Sequence, residues 1–347
     1  MHLLEQKLYQ EDVEAAASLD FPWEKLEGKT VLVAGASGMI GSFLIDVLMK
    51  KGGCKVCALG RNAERARKRF APYFGNPQFT FVQGDINEEI RVDAERAEVI
   101  FHAASNTHPL AYAADPIGTL TTNLIGTDHL LKFAAEHGNE RFLFASSVEI
   151  YGENRGDCEK FAENYCGYLD CNTLRAGYPE GKRAGEALCQ AYIRQKGLDI
   201  VIPRLARTYG PTMLASDSKA IAQFLKKGAA GEDIVLKSEG TQVYSYTYVA
   251  DAVSGLLACL FYGQCGEAYN IADARSDIAL RDLAGMIADY AGKEVVFELP
   301  NELERAGYSK ATKAMLNGEK LQKLGWKARY DMRSGIERTI QILRETM

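Results

Sequence analysis

Short apolar runs alternate with amphipathic segments along most of the chain. Such runs predict buried parallel strands, and the amphipathic segments between them predict helices. The predicted strands lie at 30–34, 55–59, 79–83, 99–101, 142–145 and 200–204. This regular alternation of strand and helix predicts an α/β fold built on a doubly wound parallel sheet.

The two ends of the chain depart from this alternation. Residues 3–19 repeat apolar and charged positions at helical spacing, and the pattern after Arg204 becomes irregular, with glycine and proline turns and short elements. The predicted units are an N-terminal helical extension at 1–27, a sheet domain at 28–205 with a return near 246–275, and a smaller C-terminal α/β lobe at 206–245 and 276–347.

Composition narrows the function classes. The 347 residues carry a formal net charge of -5, which argues against nucleic-acid binding through a general basic surface. No apolar run reaches transmembrane length, and residues 1–20 are charged and amphipathic, unlike a signal sequence. We therefore expect a cytoplasmic protein with small-molecule partners, no nucleic-acid partner and no membrane partner.

The eight cysteines are scattered through predicted strands and loops, which is typical of reduced thiols in the cytoplasm. Cys54 and Cys57 form a CxxC pair, but the predicted strand at 55–59 and the lack of a second pair favour packing over a redox or zinc role. No metal site is predicted.

A glycine-rich turn follows the first predicted strand and leads into an apolar helix at 42–49. Its glycines permit a tight turn and a close backbone approach to a pyrophosphate, while the helix N-terminus offers free amides to the negative charge. This context predicts dinucleotide binding in a Rossmann fold, with a structural glycine turn as the alternative. The candidate residues are Gly35, Ser37, Gly38, Met39, Ile40 and Gly41.

The ends of the next strands supply further cofactor candidates. Arg61 stands where an acid would hold the adenosine ribose hydroxyls, and an arginine there can accept a 2′-phosphate. NAD is the predicted cofactor, NADP is the alternative, and Arg61 as a solvated surface charge is the other interpretation. Asp85 and Ile86 are placed to meet the adenine edge. The residues expected to line the cofactor after the fourth strand are Ala103, Ala104 and Ser105.

Tyr178 and Lys182 are four residues apart, so on a helix they share one face. A close ammonium favours the phenolate and makes the tyrosine a base near neutral pH. Ser147 and Glu149 follow the fifth predicted strand, and ligands of open parallel sheets lie beyond the carboxyl ends of the strands. We predict that these residues are catalytic; the alternative is a surface tyrosine with a solvated lysine.

These residues resemble the extended short-chain dehydrogenases, and within them the UDP-glucuronate decarboxylases and nucleotide-sugar 4,6-dehydratases, over about 29–296. The stretch 175–183 (R-A-G-Y-P-E-G-K-R) is similar to the decarboxylases' R-A-C-Y-D-E-G-K-R, residues 123–127 resemble N-x-x-G-T, and residues 204–211 resemble R-x-F-N-T-Y-G-P.

The resemblance implies a nucleotide-sugar substrate that is oxidised transiently at C4, with the C-terminal lobe as its binding lobe. Tyr178 would remove the hydroxyl proton, Ser147 would bond the same oxygen, and Lys182 would hold the nicotinamide ribose. The resemblance also implies a cofactor contact for Asn123 and a substrate contact for Arg175. It further implies a homodimer through the tyrosine-bearing helix, whose apolar positions Ala184, Leu188 and Ala191 equally suit a buried face.

The chain departs from the family pattern at three positions. Val148 replaces the acid of the dehydratases and the serine of the decarboxylases; it cannot protonate a leaving hydroxyl, while Glu149 is available as a base or to position water. Tyr244 stands where an arginine contacts the diphosphate, and Arg207 replaces an asparagine. We hypothesise that Arg207 contacts the diphosphate or a sugar carboxylate; pairing with a protein carboxylate is the alternative.

Lys219 stands where relatives carry an arginine and is a second candidate for the substrate. The leading hypothesis is a UDP-glucuronate decarboxylase-like enzyme that works through a 4-keto sugar. A nucleotide-sugar epimerase or 4,6-dehydratase is the alternative. From other classes, an NADPH-dependent keto-sugar reductase and a non-catalytic cofactor-binding scaffold stay open.

Overall fold

Parallel strands form the central sheet of the computed structural model, which describes residues 1–92, 96–107, 109–298 and 312–347. In chain order the strands are β1 (Thr30–Ala34), β2 (Lys55–Gly60), β3 (Phe79–Gln83), β4 (Val99–His102), β5 (Arg141–Phe144), β6 (Ser146–Ser147), β7 (Ile200–Leu205), β8 (Arg207–Tyr209), β9 (Ile234–Leu236), β10 (Val243–Tyr248), β11 (Ala268–Ile271), β12 (Asp277–Ala279), β13 (Val295–Phe297) and β14 (Lys313–Ala314).

The central sheet has the strand order β3-β2-β1-β4-β5-β7-β11, and each neighbouring pair is parallel. The order reverses between β1 and β4, which is the switch point of a doubly wound sheet. The predicted α/β Rossmann architecture is therefore confirmed.

Strands β2, β5 and β7 differ from their predicted limits by one residue at one or both ends. Strand β4 extends one residue beyond its predicted end at Phe101 and includes His102. His102 is fully buried, and its Nε2 is 2.9 Å from Thr127 Oγ1 on a neighbouring helix. This hydrogen bond lets a polar side chain continue an otherwise apolar strand.

Helices cover both faces of the sheet. In chain order they are α1 (Lys7–Ala17), α2 (Met39–Lys51), α3 (Ala63–Arg69), α4 (Pro109–Ala114), α5 (Pro116–Glu136), α6 (Gly177–Lys196), α7 (Ala220–Ala230), α8 (Val249–Tyr262), α9 (Leu280–Ala291), α10 (Glu319–Gln322) and α11 (Met332–Thr346). Among the described helices, none is long and apolar enough to cross a membrane.

Strand β1 is buried on both faces because it lies in the middle of the sheet. Val31 and Val33 belong to the core shared with α2 and α8, while Leu32 and Ala34 belong to the core shared with α5 and α6. All four residues have no exposed surface. This explains why the strand is a continuous apolar run rather than an alternating one.

After Leu205 the chain builds a smaller set of elements beside the carboxyl ends of the central strands. In its small sheet, β10 pairs in parallel with β8 and β14 and antiparallel with β12. Helices α7, α9 and α11 pack against one another next to it. The limits of the three units stay predictions from the sequence.

The CxxC pair is packed in the interior. Cys54 and Cys57 are both buried, and burial raises the pKa of the Cys54 thiol to about 11 and that of the Cys57 thiol to about 12. Such thiols stay protonated at neutral pH and are poor nucleophiles and metal ligands.

Helix α6 approaches the sheet closely at Gly185. A Cβ added there would lie 2.5 Å from Phe144 Cζ in β5. We therefore expect Gly185→Ala to lower the free energy of unfolding by about 1–3 kcal/mol through overpacking, measured by urea denaturation. Gly285→Ala in α9 is the control, because nothing lies within 4 Å of a Cβ at Gly285. It should be neutral or up to about 1 kcal/mol stabilising; an equal loss in both variants would contradict the packing argument.

Candidate active site

A cavity of about 370 Å³ opens beyond the carboxyl ends of the central strands. One wall consists of the glycine-rich turn and the first turn of α2, and a second wall comes from β8, α7, β9 and β10. The floor is formed by the segment after β5 and by α6. Parallel sheets place ligands at this edge, next to the switch point.

The glycine-rich turn needs its glycines for close backbone contacts. Gly35 has φ +85°, and a Cβ there would lie 2.7 Å from the Ala103 carbonyl carbon. A Cβ at Gly41 would lie 2.4 Å from the Gly35 oxygen. Gly38 is the N-cap of α2 and has no side chain to cap the helix, so the first-turn amides can serve an anion from outside. The turn therefore fits a dinucleotide pyrophosphate.

The remaining cofactor candidates divide into residues that line the cavity and residues behind its wall. Ala103 and Ser105 line it. Asn123 is fully buried; its Oδ1 accepts a hydrogen bond of 3.0 Å from Ser105 Oγ, so it orients a residue of the wall. Ala104 and Ile86 pack into the core on the α5 face of the sheet.

Ser37, Arg61 and Asp85 lie outside the cavity wall, near the ends of β2 and β3. The Arg61 Nη1 is 3.7 Å from Asp85 Oδ2, and 63 % of the Arg61 side chain is exposed. Ser37 Oγ lies close to Gly60, 3.8 Å from the position that a Cβ atom on Gly60 would occupy. Arg61 is thus a largely solvated charge next to one carboxylate.

Ser147, Tyr178 and Lys182 all line the cavity. The Tyr178 ring stacks on Tyr112 with centroids 5.0 Å apart. Lys182 Nζ donates a hydrogen bond of 2.8 Å to the Ala145 carbonyl and lies 4.7 Å from the centre of the Phe144 ring. The structure therefore brings the predicted catalytic residues together.

Burial is the largest influence on the protonation of this group. The pKa of Tyr178 is raised to about 12, chiefly by burial and also by the Glu149 carboxylate, while the Ser147 hydrogen bond and the Arg175 charge lower it. Burial also lowers the pKa of Lys182 to about 8. The Lys182 ammonium donates to the Ala145 carbonyl, and the lowering of the Tyr178 pKa by Lys182 stays a prediction.

Glu149 lies between two arginines. Its Oε1 is 3.0 Å from Arg175 Nη2 and 3.8 Å from Arg207 Nη2. Burial alone would raise the pKa of Glu149, but the two guanidinium groups hold it below its usual range. Glu149 is therefore an ionised carboxylate at neutral pH. The alternative interpretation, in which Arg207 faces a protein carboxylate, agrees with this geometry.

The two arginines also stack on aromatic rings. The Arg207 guanidinium carbon lies 3.7 Å from the centre of the Tyr244 ring, and the Arg175 guanidinium carbon lies 4.6 Å from that of Tyr112. Each guanidinium group also forms a side-chain hydrogen bond with its tyrosine, so the ring and the hydroxyl together orient the guanidinium group. Arg207 and Tyr244, two of the three departures from the family pattern, are therefore in direct contact.

Lys219 and Tyr112 complete the polar part of the cleft. Lys219 Nζ forms a 2.9 Å ion pair with Asp217 Oδ2, so its charge is partly compensated. Tyr112 is buried and touches both Tyr178 and Arg175, yet sequence reasoning missed it. It lies on a short helix without a recognisable motif, and no local signal marks it. In the described part of the chain, no three His, Cys, Asp or Glu side chains are grouped to hold a metal ion.

Comparison with known proteins identifies the class. Residues 31–272 match the NAD dependent epimerase/dehydratase family, and the chain belongs to this family of enzymes. It is 33% identical to UDP-glucuronic acid decarboxylase 3 of Arabidopsis thaliana over 227 residues, which span 65% of each chain. It is 29% identical to UDP-glucuronic acid decarboxylase 6 of the same plant, over 88% of this chain and 86% of that protein.

The same architecture occurs in solved structures. A double mutant of a dTDP-glucose 4,6-dehydratase from Streptomyces venezuelae, with NAD bound, has a TM-score of 0.78 and 25% sequence identity, and the superposition covers 91% of this chain and 97% of that chain. The predicted resemblance to nucleotide-sugar enzymes is thereby confirmed.

Lys182 provides a test of the electrostatics of the cleft. Its pKa of about 8 in the folded protein lies below the value of about 10.4 for an unfolded chain, so the unfolded state binds more protons between these values. The contribution of Lys182 to stability therefore rises with pH across that window. We expect Lys182→Met to be more stable than wild type at about pH 7, and this advantage to shrink by about 1–3 kcal/mol towards about pH 10.

Urea denaturation of both proteins across this pH range measures the difference. Lys196→Met, at the exposed end of α6, controls for the loss of one lysine. A difference between Lys182→Met and wild type that stays constant with pH would show that burial does not depress the Lys182 pKa.

Proposed function

We propose that this protein is a UDP-glucuronate decarboxylase-like enzyme that uses NAD. The observation that carries the proposal is the placement of Arg175 and Arg207 around Glu149, in the cleft that holds Ser147 and Tyr178. Two guanidinium groups facing one carboxylate leave an excess positive charge there. A neutral sugar cannot compensate that charge, whereas a C5 carboxylate complements it.

The chain supplies a binding site for the dinucleotide and a proton acceptor. Gly35, Gly38 and Gly41 would hold its pyrophosphate against the first turn of α2. Bound NAD would accept a hydride from the sugar and later return it. Tyr178 would accept the hydroxyl proton, with Ser147 as hydrogen-bond partner of the same oxygen and Lys182 as the neighbouring cation.

The group at position 148 favours loss of carbon dioxide over loss of water. Val148 is buried and lines the cleft, and its side chain has no proton to give to a leaving hydroxyl. In decarboxylation the bond from C5 to the carboxylate carbon breaks, carbon dioxide leaves, and the electron pair is taken up by the C4 carbonyl. A proton then adds at C5, so no leaving hydroxyl has to be protonated.

The proposed cofactor is NAD rather than NADP. Arg61 is the residue that would bind a 2′-phosphate, but it already faces Asp85 at 3.7 Å, which offsets part of its charge. An NADPH-dependent reductase would depend on that arginine. Epimerisation and 4,6-dehydration stay the alternatives within the family.

We also propose a cytoplasmic homodimer. Helix α5 carries the exposed apolar residues Ile117, Leu120 and Ile125 at helical spacing, and α6 packs beside it with Ala184 and Ala191 exposed. Two such pairs of helices can bury each other across a twofold axis.

The proposal is tested by incubating the purified protein with UDP-glucuronate and either NAD or NADP, followed by mass spectrometry. We expect carbon dioxide release with NAD and a pentose nucleotide or its 4-keto form. Tyr178→Phe should lower turnover by about 10²–10⁴-fold because it removes the proton acceptor, while UDP still binds. An isomer of unchanged mass would show an epimerase instead, and loss of water would show a dehydratase.

Arg207→Ala tests the carboxylate contact. We expect its Michaelis constant for UDP-glucuronate to rise about 10- to 100-fold, the cost of losing a charge-assisted hydrogen bond, with the affinity for UDP unchanged in calorimetry. Arg207→Lys, which keeps the charge, should recover part of the loss. If UDP binding also weakens in Arg207→Ala, the arginine contacts the diphosphate instead.

A further inference from the structure

Helix α1 is hydrogen-bonded to elements of both walls of the cleft. It occupies Lys7–Ala17, before the region 31–272 that matches the family. Tyr9, Asp12 and Val13 are buried on its inner face, so the helix is part of the core and not a surface appendage.

The first connection joins α1 to the wall formed by the glycine-rich turn and α2, called the cofactor wall below. The Tyr9 ring packs edge-on against Phe43 of α2, with centroids 5.6 Å apart, and its hydroxyl donates to Asp46 of the same helix. Arg69 of α3 binds the Asp46 carboxylate and donates a 2.9 Å hydrogen bond to the Tyr9 hydroxyl. Asp46 has no exposed surface. Tyr9 therefore holds the helix whose first turn lines the cleft.

The second connection joins α1 to the wall formed by β8, α7, β9 and β10, called the substrate wall below. Asp12 has no exposed surface, and its carboxylate accepts hydrogen bonds from Tyr248 (2.5 Å), Tyr330 (2.7 Å) and Arg338 (2.8 Å). Tyr248 is the last residue of β10, the strand that carries Tyr244 in the cleft. Strand β10 in turn pairs with β8, which carries Arg207.

Tyr9 and Asp12 are three residues apart and share one face of a single helix. Because a helix is stiff over this length, α1 can transmit a displacement of one wall to the other. We propose that Tyr9 and Asp12 are positioning residues, and that α1 fixes the separation between the cofactor wall and the substrate wall of the cleft. The role of α1 in ligand binding rests on the proposed function, but the mechanical connection between the two walls does not.

Hydrogen exchange of the ligand-free full-length protein, followed by mass spectrometry, tests the connection. We expect Asp12→Asn to speed exchange in Met39–Lys51, on the far wall, by about tenfold, and Tyr9→Phe to do the same in Val243–Tyr248. Tyr248→Phe removes the hydrogen bond between Asp12 and β10 from the side of the strand, and Asp12 keeps two hydrogen-bond donors, Tyr330 and Arg338. This variant replaces Asp12→Asn in the experiment if Asp12→Asn does not fold. Should each variant loosen only the wall that it touches, α1 does not connect the two walls.

Glu14→Gln is the matched control. Glu14 lies on the same helix and forms a 2.6 Å ion pair with Lys50 of α2; about half of each side chain is exposed, so this pair contributes little to the stability of the contact. It should leave exchange in both walls unchanged; if it speeds exchange as much as Asp12→Asn does, the effect is only a general loosening and the proposal is wrong.

Ligand affinity separates positioning from mere stability. With NAD saturating, Tyr9→Phe and Asp12→Asn should each weaken UDP binding about tenfold, and the double variant should be no weaker than the worse single one, because both break the same connection. Additive losses would contradict a two-ended connection. If wild type binds no UDP, the proposed function is wrong, and the exchange experiment still decides the role of α1.

Discussion

The structure depends on a close backbone contact at the switch point of the sheet. The turn after β1 passes against the end of β4 at Ala103 and against the start of α2 at Gly41, with no room for a side chain at Gly35. This contact lets α2 begin directly at the carboxyl edge of the sheet, with its first-turn amides facing the cavity. Since the sheet order reverses at the same place, both walls of the cleft are arranged around it.

Charges buried in the cleft set its chemistry. The Lys182 ammonium is desolvated against Phe144, and the Tyr178 phenol is buried near the Glu149 carboxylate, so burial lowers the pKa of Lys182 to about 8 and raises that of Tyr178 to about 12. Arg175 and Arg207 keep Glu149 ionised. A negatively charged substrate group that meets these arginines would weaken their hold on Glu149. Under the proposed function, substrate binding and proton transfer would therefore be electrostatically coupled.

The central sheet was predictable because its strands are continuous apolar runs, and β1 was predicted with its observed limits. The residues after β1 and on α6 were predictable because their spacing is short and local. The pairing of Arg207 with Glu149 and the role of Tyr112 were not, since these residues come from separate elements brought together by the fold. The raised pKa of Tyr178 was not predicted either, because sequence spacing shows which charges are near but not how deeply they are buried.

The contact between Arg207 and Tyr244 places a cation beside the tyrosine that stands where the resemblance implies an arginine. Strands β8 and β10 are hydrogen-bonded neighbours, with Arg207 opposite Tyr246, so a long side chain from β8 reaches across Tyr244 of β10. The aromatic ring helps to orient the guanidinium group, and its Nη2 lies 3.8 Å from Glu149 Oε1. Under the proposed function, the cation that the resemblance implies at position 244 is therefore supplied by the neighbouring strand, where a carboxylate on the substrate would meet it.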